Sequence, residues 1–431
     1  ADCAACTRGA HKAHTCGRGN GGRGRGSVPG RGGGNAARAA ARRRPLLPLL
    51  LSGPMRIGGW VGARVMLAIL SGLLASATLW VAVRRFKASP KIAAWVIGSF
   101  GAAPPLCSYG SQIYPEVPAA LAVVLAVATA TGTRSRWNSI GFVLAITALP
   151  WLSIKYLPVA FTIFLLASLT KDGTGKKFLS KSSAIVFVLM AVVYLLFHQL
   201  VYQGWTVYSA GDHFVGSEFE VIGGDPDIWG RSNRIIGLLV DKGFGLAAWT
   251  PSFLILPIAI AFNCRKKVDG WHYLILPFLI GWSTATWIAF TMHGWWWPGR
   301  QTVAVLPLGI IAITMLLDHF KKFLLPTILA TAIGSIGWIW VAIEAQTGRR
   351  ALIVDFEDTS WPWYKVWSKI FPDFHRMPTN TMWIAAFWAL ILSLLVIVGW
   401  CSADRNKNSF RRKRADTNVT TTNLDSSSSV R

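Results

Sequence analysis

Charged side chains are scarce in this sequence. Only 15% of the 431 residues are Asp, Glu, Lys or Arg, whereas a soluble domain carries about 25%. Hydrophobic residues make up 52% of the chain. Several apolar runs reach the ~20 residues with which an α-helix crosses a bilayer. The shortage of charge therefore argues against an ordinary soluble enzyme and predicts an all-α, polytopic bundle of transmembrane helices.

Cysteine is scarce too, and familiar cofactor motifs are missing. The six cysteines are too scattered to suggest a disulfide framework. The sequence contains no Walker A motif, dinucleotide fingerprint, nucleophile elbow or HExxH pair. The stretch TKDGTGKK (170–177) lacks the GxxxxGK[ST] spacing and is interpreted as a basic loop. We therefore expect no cofactor.

Acidic residues are few, at 19 against 44 basic ones, so the net charge is +25. Such a balance can indicate a nucleic-acid partner. The basic residues, however, are distributed along the chain as membrane topology would place them, in loops between apolar runs. We therefore expect no nucleic-acid partner.

The chain divides into three parts by composition. Residues 1–45 hold eleven glycines and ten basic residues and cannot bury enough apolar surface to fold alone. They are predicted to be a leader that is either disordered native sequence or not native. Their Cys and His residues are either there by chance or the ligands of a zinc site. Residues 46–401 form the predicted membrane domain, and residues 402–431 a disordered cytoplasmic tail.

Eleven apolar segments beyond residue 46 are predicted to span the membrane. Their approximate bounds are 62–83, 92–110, 115–131, 139–154, 156–170, 183–202, 244–262, 271–291, 301–317, 323–344 and 382–401. Some are short or contain Pro and Gly, so we expect tilted, kinked or shielded helices among them.

The charges between these segments assign the two sides of the membrane. Five alternate short loops hold fifteen basic residues and three acids, and the positive-inside rule makes their side cytoplasmic. The opposite side receives the longer loops, 203–243 and 345–381, and twelve of the nineteen acids. Chemistry is therefore predicted on the extracytoplasmic side of a multi-pass plasma-membrane protein. The basic leader breaks the rule, which suggests a missing span or a non-native leader.

The stretch HGWWWPGRQ (293–301) places a lone arginine among indoles at the outer end of a span. The guanidinium of Arg300 can bind a phosphate through paired hydrogen bonds, and the indoles would exclude water. His293 and Trp295 of the same turn are further candidates for substrate binding. The alternative is an arginine that extends to lipid headgroups, with tryptophans that favour the membrane interface.

Two more charged residues are predicted on the same outer side. Glu116 begins a span between Pro115 and Pro118, where a carboxylate suits the helix dipole. One interpretation is a structural cap. The other is a functional acid, which would orient a substrate hydroxyl or pair with a basic group at the outer surface. Lys155 ends the next outward span and is a candidate to pair with Glu116 or with a phosphate, or to extend to headgroups.

The stretch DKGFGLAAWTP (241–251) supplies a last candidate, Asp241, before two glycines and an apolar segment. Its simpler interpretation is an N-cap; substrate binding is the other. The preceding loop contains six acids or histidines between Asp212 and Asp227, but GGDPDIWG is not an EF-hand. We interpret the loop as solvated and predict no metal site.

Together these stretches resemble the polytopic glycosyltransferases of the GT-C class, in particular bacterial members that use polyprenyl-phosphate sugars. Tyr114-Pro115-Glu116 is similar to a turn that opens a span of small residues in that class. Asp241 with Gly245-Leu246 and Pro251 is similar to its Asp…Gly-Leu…Pro pattern. The residues from His293 to Arg300 resemble a Gly/Trp-rich turn that usually ends Gly-Pro-Arg, whereas this chain has Pro-Gly-Arg.

The resemblance implies inverting transfer of a sugar from a polyprenyl-phosphate donor to a lipid or glycan acceptor, with membrane lipids around the protein. A carboxylate would act as the base on the acceptor hydroxyl, and basic groups would stabilise the departing phosphate. The class carries its key acids in a first outer loop, and residues 46–62 resemble the segment just after that loop. No catalytic acid can therefore be assigned, and a chain that begins as given is expected to be impaired.

Two other functions remain open from the sequence. A transporter or flippase for a lipid-linked or anionic solute would favour charges near the membrane midplane and internal repeats; no repeat is evident, and the charges cluster at span ends. A non-catalytic membrane subunit would fit the missing acidic loop.

Overall fold

The structure is a computed structural model that describes residues 46–133, 135–170, 179, 181–202, 228–289, 292–294, 296–352 and 356–403. These residues form helices joined by turns, with no β-strand among them, so the all-α prediction is confirmed for this part of the chain. The α-helices are α1 Leu46–Arg84, α2 Pro90–Gly101, α3 Leu106–Tyr109, α4 Glu116–Ala130, α5 Arg136–Leu152, α6 Leu157–Leu169, α7 Lys181–Tyr202, α8 Ile228–Ser232, α9 Arg234–Val240, α10 Leu246–Trp249, α11 Leu256–Lys266, α12 Trp271–Ser283, α13 Leu306–His319, α14 Leu324–Gln346, α15 Pro362–Trp367 and α16 Thr381–Ala403.

Four helical stretches in the described part of the chain are long and apolar enough to cross a membrane. They are Leu46–Arg84, Ala184–Val201, Lys321–Gln346 and Thr381–Ala403. Large apolar side chains point away from the core on each of them, and Leu200, Leu329 and Leu390 are 81%, 59% and 60% exposed. Soluble proteins rarely present continuous apolar faces of this kind to water. The four helices therefore indicate a membrane protein.

The eleven predicted segments all contain helix, but several are interrupted. The segment predicted at 244–262 divides into α10, a 3₁₀ turn Pro251–Ile255 and α11, because Pro251 has no N–H to continue the helix. The segment predicted at 92–110 ends as α2 at Gly101 and resumes as α3 beyond Pro104 and Pro105. Length and composition alone thus do not reproduce eleven spans.

The first helix is longer than its predicted segment. α1 begins at Leu46 rather than near residue 62, and it is interrupted at Gly58 and Gly59, whose backbone dihedrals are not helical. Pro54 lies one turn earlier, and proline removes a helical hydrogen bond. The chain is therefore already helical before the predicted start, and this first part is joined to the rest of α1 through the kink at Gly58 and Gly59.

Two short helices lie at the centre of the bundle. Nearly every side chain of α4 and α13 is buried. α4 packs against α1 and α5, while α13 packs against α2, α11 and α12. The alanines of α4 allow these close approaches, as small residues do between membrane helices. Other helices shield both elements, so their shortness does not expose their ends to lipid.

The interrupted helices satisfy one another's polar groups. Thr250, at the break between α10 and the following 3₁₀ turn, donates from Oγ1 to the carbonyl of Pro104 at 2.9 Å. Both residues are buried. Irregular backbone inside a membrane protein is tolerated where other protein groups pair with it. The contact joins two breaks that are 146 residues apart in the chain.

Candidate anion-binding site

Three predicted residues meet where turns enter three central helices. Glu116 is the first residue of α4, Lys155 lies in the 3₁₀ turn Ile154–Tyr156 before α6, and Arg300 lies in the turn before α13. At their other ends these helices end at Ala130, Leu169 and His319, and basic residues follow each of them in the sequence. These three helix ends mark the basic end of the bundle, and the three side chains share the opposite end.

One carboxylate oxygen joins the two cations. Oε1 of Glu116 accepts a hydrogen bond from Nζ of Lys155 at 3.0 Å and another from Nε of Arg300 at 2.9 Å. Lys155 also donates to Oε1 of Gln301 at 3.2 Å. The Glu116 side chain is 0% exposed, and those of Lys155 and Arg300 are each 14% exposed. We call Glu116, Lys155 and Arg300 the Arg300 cluster.

Aromatic rings surround the guanidinium. The Cζ of Arg300 lies 4.1 Å from the ring centroid of Tyr114 and 4.9 Å from that of Trp296. Both separations are within the ~6 Å over which a cation is attracted to a ring face. Among the described residues, the predicted enclosure by indoles thus takes the form of one indole, from Trp296, and one phenol, from Tyr114.

The turn that carries Arg300 is fixed by its neighbours. Gly299 has a φ of +79°, and a Cβ at this position would lie 2.6 Å from Cδ2 of Leu246. Trp297 is fully buried, with its ring centroid 4.8 Å from that of Trp249. The hydroxyl of Tyr109 donates to the Trp297 carbonyl. A side chain at position 299 would therefore displace the turn, which explains the glycine before the arginine.

The Arg300 cluster carries one more positive than negative charge. Two cations face one carboxylate, and the described chain brings no second acid against Arg300. The second oxygen, Oε2 of Glu116, is buried and accepts no hydrogen bond from described groups. A buried charge without a counterion is costly. The geometry thus suits an anion that approaches Arg300, whose Nη atoms donate to no acceptor in the part of the chain described.

A small cavity adjoins the cluster. Its volume is about 20 Å³, and Lys155, Gln301 and Thr284 contribute polar groups to its lining. This is room for about one water molecule, which needs ~10–15 Å³. The cavity is too small for a phosphate, so an anion would have to approach from the Arg300 side.

The other described candidates form a second cluster. Asp241 is 1% exposed, and its Oδ1 accepts from the N–H groups of Gly243 and Phe244 at 3.0 and 2.6 Å. Its Oδ2 accepts from the N–H of Phe374 at 3.0 Å. The interpretation of Asp241 as a helix N-cap is wrong, because Gly245 occupies that position before α10. Asp241 instead fixes the turn between α9 and α10 and binds the distant loop to it.

His293 belongs with Asp241 rather than with Arg300. Its Nε2 lies 3.6 Å from Oδ2 of Asp241, and its ring centroid lies 4.9 Å from that of Phe244 and 4.8 Å from that of His375. Three of the hydrogen bonds to the carboxylate come from backbone groups, so both of its oxygens are engaged within the protein. The geometry of Asp241 and His293 thus indicates a mainly structural role.

Glu357 reaches the same turn from the loop after α14. A Cβ at Gly243 would collide with its carboxylate, and Arg376 Nη2 lies 3.7 Å from its Oε2. Burial, followed by the charges of Asp373 and Asp241, raises the pKa of Glu357 above its usual value of 4.5. This carboxyl group therefore retains a proton to a higher pH than an exposed glutamate.

The sequence thus located the charged members of the site but not their arrangement. Trp295 and the acidic residues between Asp212 and Asp227 lie outside the described residues. Tyr114, Gln301 and Glu357 were missed as contacts. The first two adjoin predicted residues in the chain, so proximity to Glu116 and Arg300 was a usable signal.

In the described ranges, no group of three or more His, Cys, Asp or Glu side chains is arranged to hold a metal ion.

Comparison of this chain with protein families, curated proteins and solved structures finds no match.

Proposed function

We propose that this protein is an integral membrane glycosyltransferase that moves a sugar from a polyprenyl-phosphate carrier to a lipid or glycan acceptor on the extracytoplasmic side. In this proposal the eleven apolar segments cross the plasma membrane, with shielded and broken helices among them. Arg300 contacts the donor phosphate. Glu116 holds Arg300 in place through their hydrogen bond, and Lys155 adds a second positive charge beside them.

The excess positive charge of the Arg300 cluster carries the proposal. A polyprenyl phosphate brings an anion to the membrane boundary while its isoprenoid tail stays in lipid. The guanidinium presents a planar fork that matches a phosphate, and its Nε already donates to Glu116 at 2.9 Å. In this proposal the remaining guanidinium nitrogens donate to the phosphate.

A second support is that the three stretches of sequence that resemble the GT-C class lie next to one another in the fold. Tyr114 covers the Arg300 guanidinium, and Leu246 lies against Gly299. Segments of the chain that resemble the same class for separate reasons are thus neighbours in the fold. A transporter is less well supported, because this cluster lies at the ends of helices rather than along a path through them.

The proposed chemistry breaks the bond between the sugar C1 and the phosphate oxygen and forms one between C1 and the acceptor oxygen. The acceptor proton passes to a carboxylate base, to which no residue is assigned. The electron pair of the broken bond remains on the phosphate. Arg300 and Lys155 would stabilise this developing charge, which is where fixed cations lower a transfer barrier most.

Release of polyprenyl phosphate from a defined donor tests the proposal. The full chain in nanodiscs is mixed with polyprenyl-phosphate hexoses and pentoses and a membrane-lipid extract as acceptor, and the released carrier is measured by mass spectrometry. We expect release that Arg300→Ala reduces at least 10-fold, which is about 1.4 kcal/mol of transition-state stabilisation. Arg349→Ala is the matched control, because Arg349 is exposed and remote from the cluster in sequence.

Two results would contradict the proposal. One is release that Arg300→Ala leaves unchanged. The other is an absence both of release and of saturable binding of the donor by the wild-type chain, measured in the same nanodiscs.

A further inference from the structure

A large cavity lies at the other end of the bundle. Its volume is about 800 Å³, within the ~300–1,000 Å³ typical of ligand sites. It lies between the 3₁₀ turn Pro251–Ile255 with α11, the end of α13, the start of α14 and the end of α16. Its walls are mainly apolar and include Ile255, Ile258, Phe323, Ala330 and Val398. Such walls suit a hydrocarbon chain rather than a polar solute.

The cavity extends inward from the basic end. Lys322 and Phe323, at the start of α14, are exposed and belong to its lining. Ser252, on the opposite side of the lining, accepts a hydrogen bond from Oγ1 of Thr331 at 2.8 Å. Ala330 lies seven residues after Phe323, which is about 10 Å along the helix. The cavity thus reaches from a charged rim toward the middle of the bundle.

The rim carries an excess of positive charge. Lys321 and Lys322 are exposed, and Nζ of Lys266 lies 3.3 Å from Nδ1 of His319. Among the described residues, Asp318 is the acid next to these groups, and its Oδ2 accepts from the N–H of Ser89 at 3.1 Å. The described part of the rim thus holds three lysines and one carboxylate. Basic pockets between membrane helices attract anionic lipid headgroups.

The wall formed by α16 is held in place, so the cavity does not depend on a ligand to separate the helices. A Cβ on Gly399 would meet the carbonyl of Ile258, so the two helices touch there through the glycine. The guanidinium of Arg265 lies 5.2 Å from the ring centroid of Trp400. These contacts fix the end of α16 against α11 on one side of the opening.

We propose that this cavity binds an anionic phospholipid from the leaflet at the basic end. One acyl chain lies between α11, α14 and α16, and the phosphate lies at Lys322 and Lys266. The charge of the rim selects an anionic headgroup, and the apolar walls select a lipid over a free phosphate. This inference does not depend on glycosyl transfer, because the cavity shares no residue with the Arg300 cluster.

Photolabelling tests the occupant. The full chain is placed in nanodiscs of equal parts phosphatidylcholine and phosphatidylglycerol, with a trace of phosphatidylglycerol carrying a diazirine in one acyl chain. We expect labelled peptides to include Ile255, Ile258 or Ala330. Ala330→Trp should lower this labelling at least 5-fold. Leu329→Trp is the matched control, because Leu329 is on the same helix, 59% exposed and outside the lining.

A headgroup comparison tests the role of charge and does not require a bulky substitution. Lys322→Gln combined with Lys266→Gln should lower labelling by phosphatidylglycerol at least 3-fold and leave labelling by a diazirine phosphatidylcholine unchanged. Unlabelled phosphatidylglycerol should compete more effectively than phosphatidylcholine.

Three outcomes overturn the proposal. Equal labelling by both headgroups refutes the anionic specificity, and labels confined to outward positions such as Leu329 refute occupancy of the cavity. Cross-links between two copies of the chain through α14 or α16 assign the cavity to a protein interface instead. Elution volume and thermal midpoint of each variant show whether it is folded.

Discussion

Removal of the shared carboxylate is the most informative perturbation of the Arg300 cluster. Glu116→Gln keeps the shape of the side chain but leaves Lys155 and Arg300, each 14% exposed, without the carboxylate that they share. Removing one partner of a buried ion pair costs about 3–5 kcal/mol. Because both cations are partly exposed and water can solvate part of the uncompensated charge, we expect the lower half of that range.

A double-mutant cycle measures the interaction energy between Glu116 and Lys155 separately from their other contacts. Lys155→Met alone removes the hydrogen bonds to Glu116 and Gln301 but leaves Glu116 and Arg300 as a neutral pair. It should therefore cost less, about 1.5–3 kcal/mol, which is the range for a hydrogen bond to a charged group. The double variant removes one positive and one negative charge and retains the original excess. It should therefore be more stable than the sum of the single effects predicts, with a coupling of about 1–3 kcal/mol.

The measurement is the free energy of unfolding of the full chain in mixed micelles, followed by far-ultraviolet circular dichroism during titration with a denaturing detergent. Glu344→Gln is the matched control. Glu344 is also buried, but its oxygens accept from Thr359 Oγ1 and the N–H of Ser360, both at 2.8 Å. It should show no coupling to Lys155. A coupling near zero between positions 116 and 155 would refute the charge argument on which the site rests.

Three further changes probe the site and its support. Gly299→Ala should destabilise the protein by about 1–3 kcal/mol, because the position has a positive φ and a Cβ would collide with Leu246, and donor binding should weaken with it. Thr250→Val should cost about 1 kcal/mol in unfolding free energy through loss of the hydrogen bond to Pro104. Because the folded-state pKa of Glu357 is raised above 4.5, its protonated form stabilises the fold. Stability from this group should be complete below pH 4.5 and decrease as pH rises through the raised pKa, and the thermal midpoint of Glu357→Gln should lack that decrease.

Each of these three predictions has a control variant or an outcome that would contradict it. Gly72→Ala is the control for Gly299, because a Cβ at Gly72 meets nothing within 4 Å. For Thr250, Thr250→Ser retains the hydroxyl and should restore most of the loss; failure to do so would assign the effect to packing. A stability profile of the wild type that rises from pH 4.5 to 7 relative to Glu357→Gln would contradict the sign expected for Glu357.

The sequence predicted the class of fold because hydropathy is a property of the local chain. Runs of apolar residues indicate helices at 323–344 and 382–401 whatever surrounds them, and the structure has α14 and α16 there. The interruption at Thr250 was harder to evaluate, because its hydrogen-bond partner, Pro104, is far away in the chain. A local pattern cannot show whether a proline bends a helix or ends it, since distant groups decide that outcome.

For the candidate site, too, the sequence predicted what depends on the local chain and missed what depends on distant contacts. The lone charges Glu116, Lys155 and Arg300 were conspicuous because charge is costly in an apolar segment, and they lie together. His293 was grouped with Arg300 because the two are seven residues apart, yet the turn at Gly294 and Gly299 directs it toward Asp241. Sequence distance predicts proximity poorly where glycines reverse the chain.

The positions of the three charges along the chain also determine when each pair can form during biosynthesis. Glu116 and Lys155 are 39 residues apart, whereas Arg300 comes 184 residues after Glu116. A nascent chain that has reached α6 therefore contains one acid and one base that can neutralise each other. Arg300 follows the described helices α7 to α12 and brings the excess charge with it. The half-made protein is electrically balanced at this position, and the excess charge on which the proposed function depends arises only when Arg300 joins the bundle.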